Sequence, residues 1–210
     1  MGFSLLETMR LEHGRIVRCD RHVARAAAAA ATLGFAWNDA GTRAALAAAE
    51  AAYRDGSWRT RLLVARSGEA TVECAPLVHD SSRVWRVALA GEPVASGDRS
   101  LRVKTTRREV YERAKAARPD VDDVLLWNER GEITESTIAN VVAEIGGGRF
   151  TPPAACGLLP GIFRATLLDA GTIQERVITR ADLAAASRLW LVNSLREWMV
   201  ASLVGPAGHI

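Results

Sequence analysis

Residues 100–111 read Ser-Leu-Arg-Val-Lys-Thr-Thr-Arg-Arg-Glu-Val-Tyr, with a lysine at position 104. The chain contains 27 lysine and arginine residues, of which only Lys104 and Lys115 are lysines. Arginine can replace lysine at most surface positions, but its guanidinium stays protonated and cannot form a Schiff base. A lysine kept in so arginine-rich a chain is therefore a candidate for nucleophilic chemistry.

The two lysines lie in different local patterns. Lys104 ends an apolar stretch and precedes a predicted helix over 105–118. The arginines around it disfavour its ammonium form, and imine formation needs the free amine. Lys115 follows Tyr111 and Glu112 at helical spacing, which predicts a position on a solvent-exposed face. We therefore take Lys104 as the candidate nucleophile and Lys115 as a surface residue.

The patterning on either side of this stretch predicts an α+β chain of two domains. Residues 1–77 read as two strands, two helices and a hairpin, and the polar segment 79–82 predicts a linker. The residues after the linker read as short strands and helices, including strands over 84–90 and 173–178. With 210 residues, the chain is long enough for two small domains. We predict a small domain over 1–79 and a larger domain over 84–210.

Composition excludes several classes of protein. The net charge is only +3, and no basic run is interleaved with aromatic residues, so nucleic-acid binding is not predicted. Three cysteines without paired spacing predict neither a disulfide scaffold nor a metal site. No apolar run approaches the length of a membrane span, and no signal peptide is evident. We therefore expect a cytoplasmic protein with no metal, membrane or nucleic-acid partner.

Other segments could support chemistry at a bound cofactor. Glu135 lies between two predicted strands, where a carboxylate could keep a pyridine nitrogen protonated, although an exposed turn glutamate fits the same pattern. Segments 158–164 and 193–196 each predict the start of a helix, where free N–H groups bind phosphate well. Ordinary helix caps remain the alternative for both segments.

Six segments occur in the order seen in class IV aminotransferase-like enzymes. They are Leu5–Arg10, Asp20–Arg25, Lys104–Arg108, Thr134–Glu135 with Asn140, Leu159–Arg164 and Asn193–Arg196. The chain resembles this family over nearly its whole length. The resemblance implies a pyridoxal phosphate enzyme of fold type IV, similar to D-amino acid aminotransferase, with a small α+β domain and a larger pseudo-barrel domain. It also implies a homodimer.

Carried over residue by residue, the resemblance implies a cofactor site. Lys104 would form the Schiff base, Glu135 would face the pyridine nitrogen, and Arg25 would bind the phosphate. The remaining matches are Asn140 near the cofactor, Ile162 and Phe163 in a first backbone cradle, and Ser194 and Leu195 in a second. Arg10, Arg108 and Arg196 are candidates to bind carboxylates of a small-molecule substrate, or are surface residues.

Within the family, residues 104–111 and 193–196 most resemble the 4-amino-4-deoxychorismate lyases. This resemblance implies conversion of 4-amino-4-deoxychorismate to 4-aminobenzoate and pyruvate, a step of folate biosynthesis. Phe163 stands where aminotransferases usually have threonine, which argues against transamination. The alternatives are a branched-chain or D-amino acid aminotransferase and a cofactor-binding homologue without useful catalysis, the latter because the chain begins almost at the Leu5 motif.

Overall fold

The computed structural model describes residues 2–78 and 80–205, which form two compact units. The first unit comprises residues 2–78 with Val103–Arg107, and the second comprises residues 80–102 and 108–205. Met1, His79 and residues 206–210, which belong to the predicted domains and linker, lie outside the described residues. The segment around Lys104, assigned from sequence to the larger domain, is part of the first unit.

The first unit is an antiparallel sheet covered by two helices. Its strands follow the order β2-β1-β3-β4, and its helices come between β2 and β3 in the chain. The elements are β1 (Leu5–Glu12), β2 (Arg15–Ile16), α1 (Cys19–Leu33), α2 (Asp39–Ala52), β3 (Ser57–Val64) and β4 (Ala70–Pro76). Alternate residues of β1, including Leu5, Met9 and Leu11, are buried in one core with Val23 of α1 and Leu46 of α2. This packing places one face of β1 against the helices.

Val103–Arg107 lengthens this sheet at the start of β1. The N–H of Leu6 donates to the carbonyl of Lys104 at 3.0 Å, and the N–H of Thr106 donates to the carbonyl of Ser4 at 3.0 Å. Because β2 pairs only with Leu11 and Glu12, this edge of β1 is open at its beginning. The predicted helix over 105–118 is therefore wrong in its first turn, since residues 104–106 pair with β1 and the helix spans only Glu109–Ala116.

The second unit contains an eight-stranded sheet that closes on itself. The strand order is β10-β9-β8-β11-β12-β5-β6-β7, and β7 also pairs with β8. Its strands are β5 (Trp85–Leu89), β6 (Asp123–Trp127), β7 (Ile133–Ser136), β8 (Asn140–Ile145), β9 (Gly148–Thr151), β10 (Gln174–Glu175), β11 (Arg188–Asn193) and β12 (Glu197–Leu203). Its helices are α3 (Glu109–Ala116), α4 (Ile162–Asp169) and α5 (Arg180–Ala184). Pairing of β7 with β8 produces the barrel, whose core includes Val87, Leu125, Val141 and Leu191.

Two local predictions in this unit differ from the structure, and two of its strands were not predicted. Residues 194–196 form a turn between β11 and β12 rather than the start of a helix, because the Asn193 side chain accepts from the N–H groups of Leu195 and Arg196. The predicted strand over 173–178 shortens to Gln174–Glu175. The strands β9 and β12 were not predicted, and β12 is nevertheless a wall of the barrel.

No helix among the described residues has the length and apolar character that a membrane span requires. Across residues 2–78 and 80–205, no group of three or more histidine, cysteine or acidic side chains is placed to hold a metal ion.

Candidate functional site

Arg25 is held by a buried carboxylate in the first unit. Helix α1 begins after Arg18, which adopts a left-handed backbone (φ 59°), and presents His22 and Arg25 one turn apart. Arg25 donates from Nε to Glu7 Oε1 at 2.8 Å and from Nη2 to Glu7 Oε2 at 2.6 Å. His22 Nδ1 lies 2.6 Å from the same Oε2. Arg25 therefore forms a two-pronged ion pair with a carboxylate that also binds a histidine.

The charges in this cluster follow from its burial. Burial of Glu7 favours its neutral form, but the Arg25 charge and the hydrogen bonds from His22 and Arg25 outweigh burial and hold the pKa of Glu7 at about 2. Burial lowers the pKa of His22, and the charges of Arg25 and Lys104 lower it further, whereas Glu7 opposes them. Near neutral pH, His22 is therefore uncharged and donates its Nδ1 proton to the Glu7 carboxylate.

Lys104 lies in the same unit as Arg25. Its backbone is anchored to β1 through the bond from Leu6, and its neighbour Val103 packs against the buried core. The Lys104 charge is near enough to disfavour protonation of His22. The structure thus brings two predicted site residues, distant in sequence, into one compact unit.

Glu135 is a buried residue of the second unit. It lies on β7 with 4% of its surface exposed, and so does not match the alternative of an exposed turn. The Tyr111 hydroxyl donates to Glu135 Oε1 at 2.8 Å, and the Leu159 N–H donates to the same oxygen at 3.2 Å. Burial raises the pKa of Tyr111, and the Glu135 charge raises it further, so the phenol remains a hydrogen-bond donor. These bonds hold the carboxylate in one orientation.

Asn140 supports the same region from the paired strand. It is the register partner of Glu135 on β8, and its Nδ2 donates to the Leu159 carbonyl at 2.9 Å. A Cβ added to Gly161 would lie 2.0 Å from Asn140 Oδ1. Because the φ of Gly161 is −67°, space rather than backbone conformation requires glycine there. Asn140, on the strand that pairs with β7, therefore links Glu135 to the segment just before α4.

The two predicted cradles differ in structure. Ile162 and Phe163 form the first turn of α4, whose first internal bond runs from Ala165 N–H to Gly161 at 2.9 Å. The N–H groups of this first turn consequently have no partner inside the helix. Ser194 and Leu195 instead occupy the turn after β11, where Asn193 Oδ1 accepts from Leu195 N–H at 3.0 Å. The expected second helix N-terminus is therefore absent, and the Leu195 amide is held by a side chain of the described turn.

The three candidate substrate arginines are in different surroundings. Arg108 donates to the Thr137 carbonyl, and its guanidinium lies 4.9 Å from the centre of the Tyr111 ring, which brings it beside the Glu135 group. Arg10 lies on β1, with its Nε 3.6 Å from a Glu12 oxygen. Arg196 lies 5.7 Å from the centre of the Trp85 ring. Arg108 is thus linked to the predicted site residue Glu135 through Tyr111, whose hydroxyl donates to that carboxylate.

Glu7, His22 and Tyr111 are not among the predicted site residues, although all three lie in the motifs that carry the family resemblance. The sequence contains a signal for Glu7, because it lies two residues from each of the apolar residues Leu5 and Met9. Residues at this spacing share one face of a strand, so Glu7 belongs to the buried face of β1. For His22 and Tyr111 the partners are remote along the chain, and no local pattern indicates them.

Three kinds of group suit pyridoxal phosphate. Arg25 is a guanidinium fixed by a carboxylate, Lys104 supplies a primary amine, and Glu135 is a buried carboxylate whose Oε1 accepts two hydrogen bonds. The donor set therefore fits the cofactor that the resemblance implies.

Known proteins resemble the chain over nearly its full length. The family model for amino-transferase class IV matches residues 4–204. A Schizosaccharomyces pombe protein named "Putative aminodeoxychorismate lyase" is 30% identical over 203 residues, which cover 92% of this chain and 87% of that protein.

Solved structures share the fold. The structure of a "Putative amino-acid aminotransferase" from Mesorhizobium loti has 43% identity and a TM-score of 0.90, covering 96% of this chain and 100% of that one. The 4-amino-4-deoxychorismate lyase of Pseudomonas aeruginosa has 22% identity and a TM-score of 0.81, covering 98% and 86%. A Mycobacterium tuberculosis "hypothetical aminotransferase" in its PLP-bound form has 22% identity and a TM-score of 0.82, covering 96% and 81%.

The predicted fold class is confirmed by these structures, and the predicted cofactor by the family and its PLP-bound member. With residues 4–204 matched by one family model, this chain belongs to the amino-transferase class IV family and is a fold type IV enzyme that uses pyridoxal phosphate.

Proposed function

We propose that the protein is a lyase that converts 4-amino-4-deoxychorismate to 4-aminobenzoate and pyruvate. The observation that supports a lyase over a transaminase is Phe163 in the first turn of α4. Its side chain is buried and lies edge-on to Trp198, with ring centres 6.3 Å apart. The position therefore offers an apolar ring where aminotransferases usually offer a threonine hydroxyl. The name of the Schizosaccharomyces pombe relative supports the same choice.

In this proposal, Lys104 acts at the reacting carbon. Pyridoxal phosphate, when bound, supplies an electron sink for the carbon that bears the substrate amine. We assign two roles to the Lys104 amine: it would hold the cofactor, and it would remove the C4 proton of the substrate. The same amine then protonates the departing enolpyruvyl group, which leaves as pyruvate. Because the remaining ring becomes aromatic, the elimination is strongly downhill.

The other site residues bind and orient. We assign Glu135 to the protonated pyridine nitrogen, because its carboxylate is buried and held by Tyr111 and Leu159. We assign Arg25 to the phosphate, with the amides that begin α4 as further donors. Arg108 is our candidate for a substrate carboxylate, since arginine forms bidentate pairs with carboxylates and this arginine contacts Tyr111.

The direct test supplies the purified protein with chorismate, an aminodeoxychorismate synthase and ammonia. The expected result is 4-aminobenzoate and pyruvate in equal amounts, formed by the wild type and the Lys115→Ala control but not by Lys104→Ala. Cofactor binding without either product contradicts the lyase.

A second candidate is an aminotransferase for branched-chain or D-amino acids. The Mesorhizobium loti structure favours an aminotransferase, since it has 43% identity and is named a "Putative amino-acid aminotransferase". A parallel assay with these amino acids and 2-oxoglutarate distinguishes the two, because only a transaminase forms the keto acid of the donor.

We also propose, from the family resemblance, a homodimer that serves folate biosynthesis, and, from the cysteine usage, a location in the cytoplasm. Sedimentation at micromolar concentration tests the dimer, and a lone monomer would contradict it.

A further inference from the structure

The buried carboxylate beneath Arg25 has no role in the chemistry described above. Glu7 is 2% exposed and His22 is 1% exposed, whereas the Arg25 side chain is 17% exposed. Burial of a carboxylate costs free energy unless charge and hydrogen bonds compensate it. The cluster of Glu7, His22 and Arg25 supplies that compensation through three bonds of 2.6–2.8 Å.

The bidentate pair with Glu7 fixes the plane of the Arg25 guanidinium. Glu7 takes the Nε and Nη2 edge of Arg25 in a bidentate arrangement. The Nη1 side of the same planar group consequently points away from Glu7. Because the guanidinium is planar, binding along one edge also fixes the direction of the N–H bonds on the opposite side. An arginine without such a partner can point these bonds in many directions.

His22 adds a bond without adding charge. Since it is neutral and donates from Nδ1, Glu7 and Arg25 balance each other and the cluster has no net charge. Arg25 therefore contributes to anion binding mainly through the direction of its N–H groups. Among the described residues, His22 Nε2 is buried without a hydrogen-bond partner, so the hydrogen bond of the ring is the one from Nδ1 to Glu7.

We propose that Glu7 is a positioning residue that, with His22, orients the Arg25 guanidinium toward the phosphate of the cofactor. This inference rests on the proposed role of Arg25 as the phosphate ligand. A positioning role and a simple counterion role predict opposite effects of removing Glu7 on phosphate binding. A counterion weakens the attraction of Arg25 for an anion, so its removal would tighten phosphate binding. A positioning residue increases affinity, so its removal weakens phosphate binding.

The test compares two forms of the cofactor on the full-length apoprotein. Both pyridoxal phosphate and pyridoxal can react with Lys104, but only the first has a phosphate. The ratio of their dissociation constants, measured by absorbance titration, isolates the phosphate contribution. We expect Glu7→Gln to reduce this preference for the phosphorylated form about tenfold or more, the range of a charge-assisted hydrogen bond. Affinity for pyridoxal should change less than twofold.

Two further variants cover the case in which Glu7→Gln does not fold. Glu7→Asp keeps the charge but shortens the side chain by one methylene. A positioning role predicts a reduced preference for pyridoxal phosphate over pyridoxal, whereas a counterion role predicts no reduction. His22→Asn should reduce the preference by less than Glu7→Gln. The matched control is Glu73→Gln, which breaks an exposed pair with Arg61 (3.2 Å) in the same unit and should leave the ratio unchanged.

The outcomes separate this inference from the proposal on which it rests. If Arg25→Ala loses the preference while Glu7→Gln and Glu7→Asp keep or increase it, Arg25 binds phosphate and the positioning role is overturned. If Arg25→Ala keeps the full preference, the assignment of Arg25 itself fails. If Arg25→Ala, Glu7→Gln and Glu7→Asp all lose the preference for the phosphorylated form, the result supports the inference.

Discussion

Replacing Glu135 with glutamine tests the chemistry of the proposed site with a small change in structure. The side chain is 4% exposed, and its Oε1 accepts from Tyr111 at 2.8 Å and from Leu159 at 3.2 Å. Because both partners are donors, they select the amide orientation that directs the glutamine oxygen toward them. The variant therefore keeps both hydrogen bonds and loses the negative charge.

The expected loss of rate follows from that charge. A hydrogen bond to a charged group contributes about 1.5–3 kcal/mol, and about 1.4 kcal/mol corresponds to a tenfold change in rate. If the carboxylate acts on the cofactor ring in the transition state, kcat should fall about ten- to hundredfold. Cofactor affinity should change much less, because the proposed contacts of Arg25 and Lys104 remain.

The assay is 4-aminobenzoate formation at saturating cofactor, with cofactor affinity measured by titration on the same preparation. Glu144→Gln is the matched control, since Glu144 lies at the end of β8 and accepts a bond from Ser187 at 2.9 Å. An unchanged kcat in Glu135→Gln would refute the reasoning, because it would mean that the elimination does not need this carboxylate. Equal losses of rate and affinity would assign Glu135 to cofactor binding alone.

Three other predictions concern binding and stability. Lys104→Ala should lose the visible absorption band of the enzyme-bound cofactor and Lys115→Ala should keep it, and a borohydride-trapped label on the Lys115 peptide would contradict this assignment. The carboxyl pKa of Glu7 is lowered from 4.5 to about 2. Its charged form therefore contributes about 3 kcal/mol to the free energy of unfolding above pH 4.5, and this contribution is lost as the pH falls through 2. Urea unfolding of wild type and Glu7→Gln should therefore converge over that interval, and a pH-independent difference would contradict it. Gly161→Ala should cost about 1–3 kcal/mol by displacing the buried Asn140 side chain; the cost should shrink in an Asn140→Ala background, and equal costs would exclude the contact as its cause.

Local features of the sequence were sufficient to predict most elements of the first unit. Helix α2 begins where the Asn38 side chain accepts from Gly41 N–H at 3.0 Å, the cap that its residue type predicts. The hairpin of β3 and β4 forms across Ser67 and Gly68, as the turn residues indicate. Both signals involve groups only a few residues apart, so they can be recognised in the sequence without knowledge of the tertiary contacts.

Local propensity failed where another strand offered partners. Residues 105–107 could continue the helix that begins at Glu109, but Thr106 pairs with Ser4 instead, and the adjacent Lys104 pairs with Leu6. The start of β1 would otherwise have an unpaired edge. The strand β12 is a second example, since it pairs with β11 and β5. Its sequence alone does not distinguish a strand of the barrel from a loop.

The sequence by itself determined the family, the cofactor and the identity of the candidate residues, because these depend on the order and chemistry of short motifs. Only the tertiary structure showed that Glu7 binds Arg25 and that Tyr111 binds Glu135. Each of these pairs joins two elements whose register and helix rotation depend on the packing of the whole unit. Hydrogen bonds require donor and acceptor within about 3 Å, and spacing along the chain contains no information at that precision.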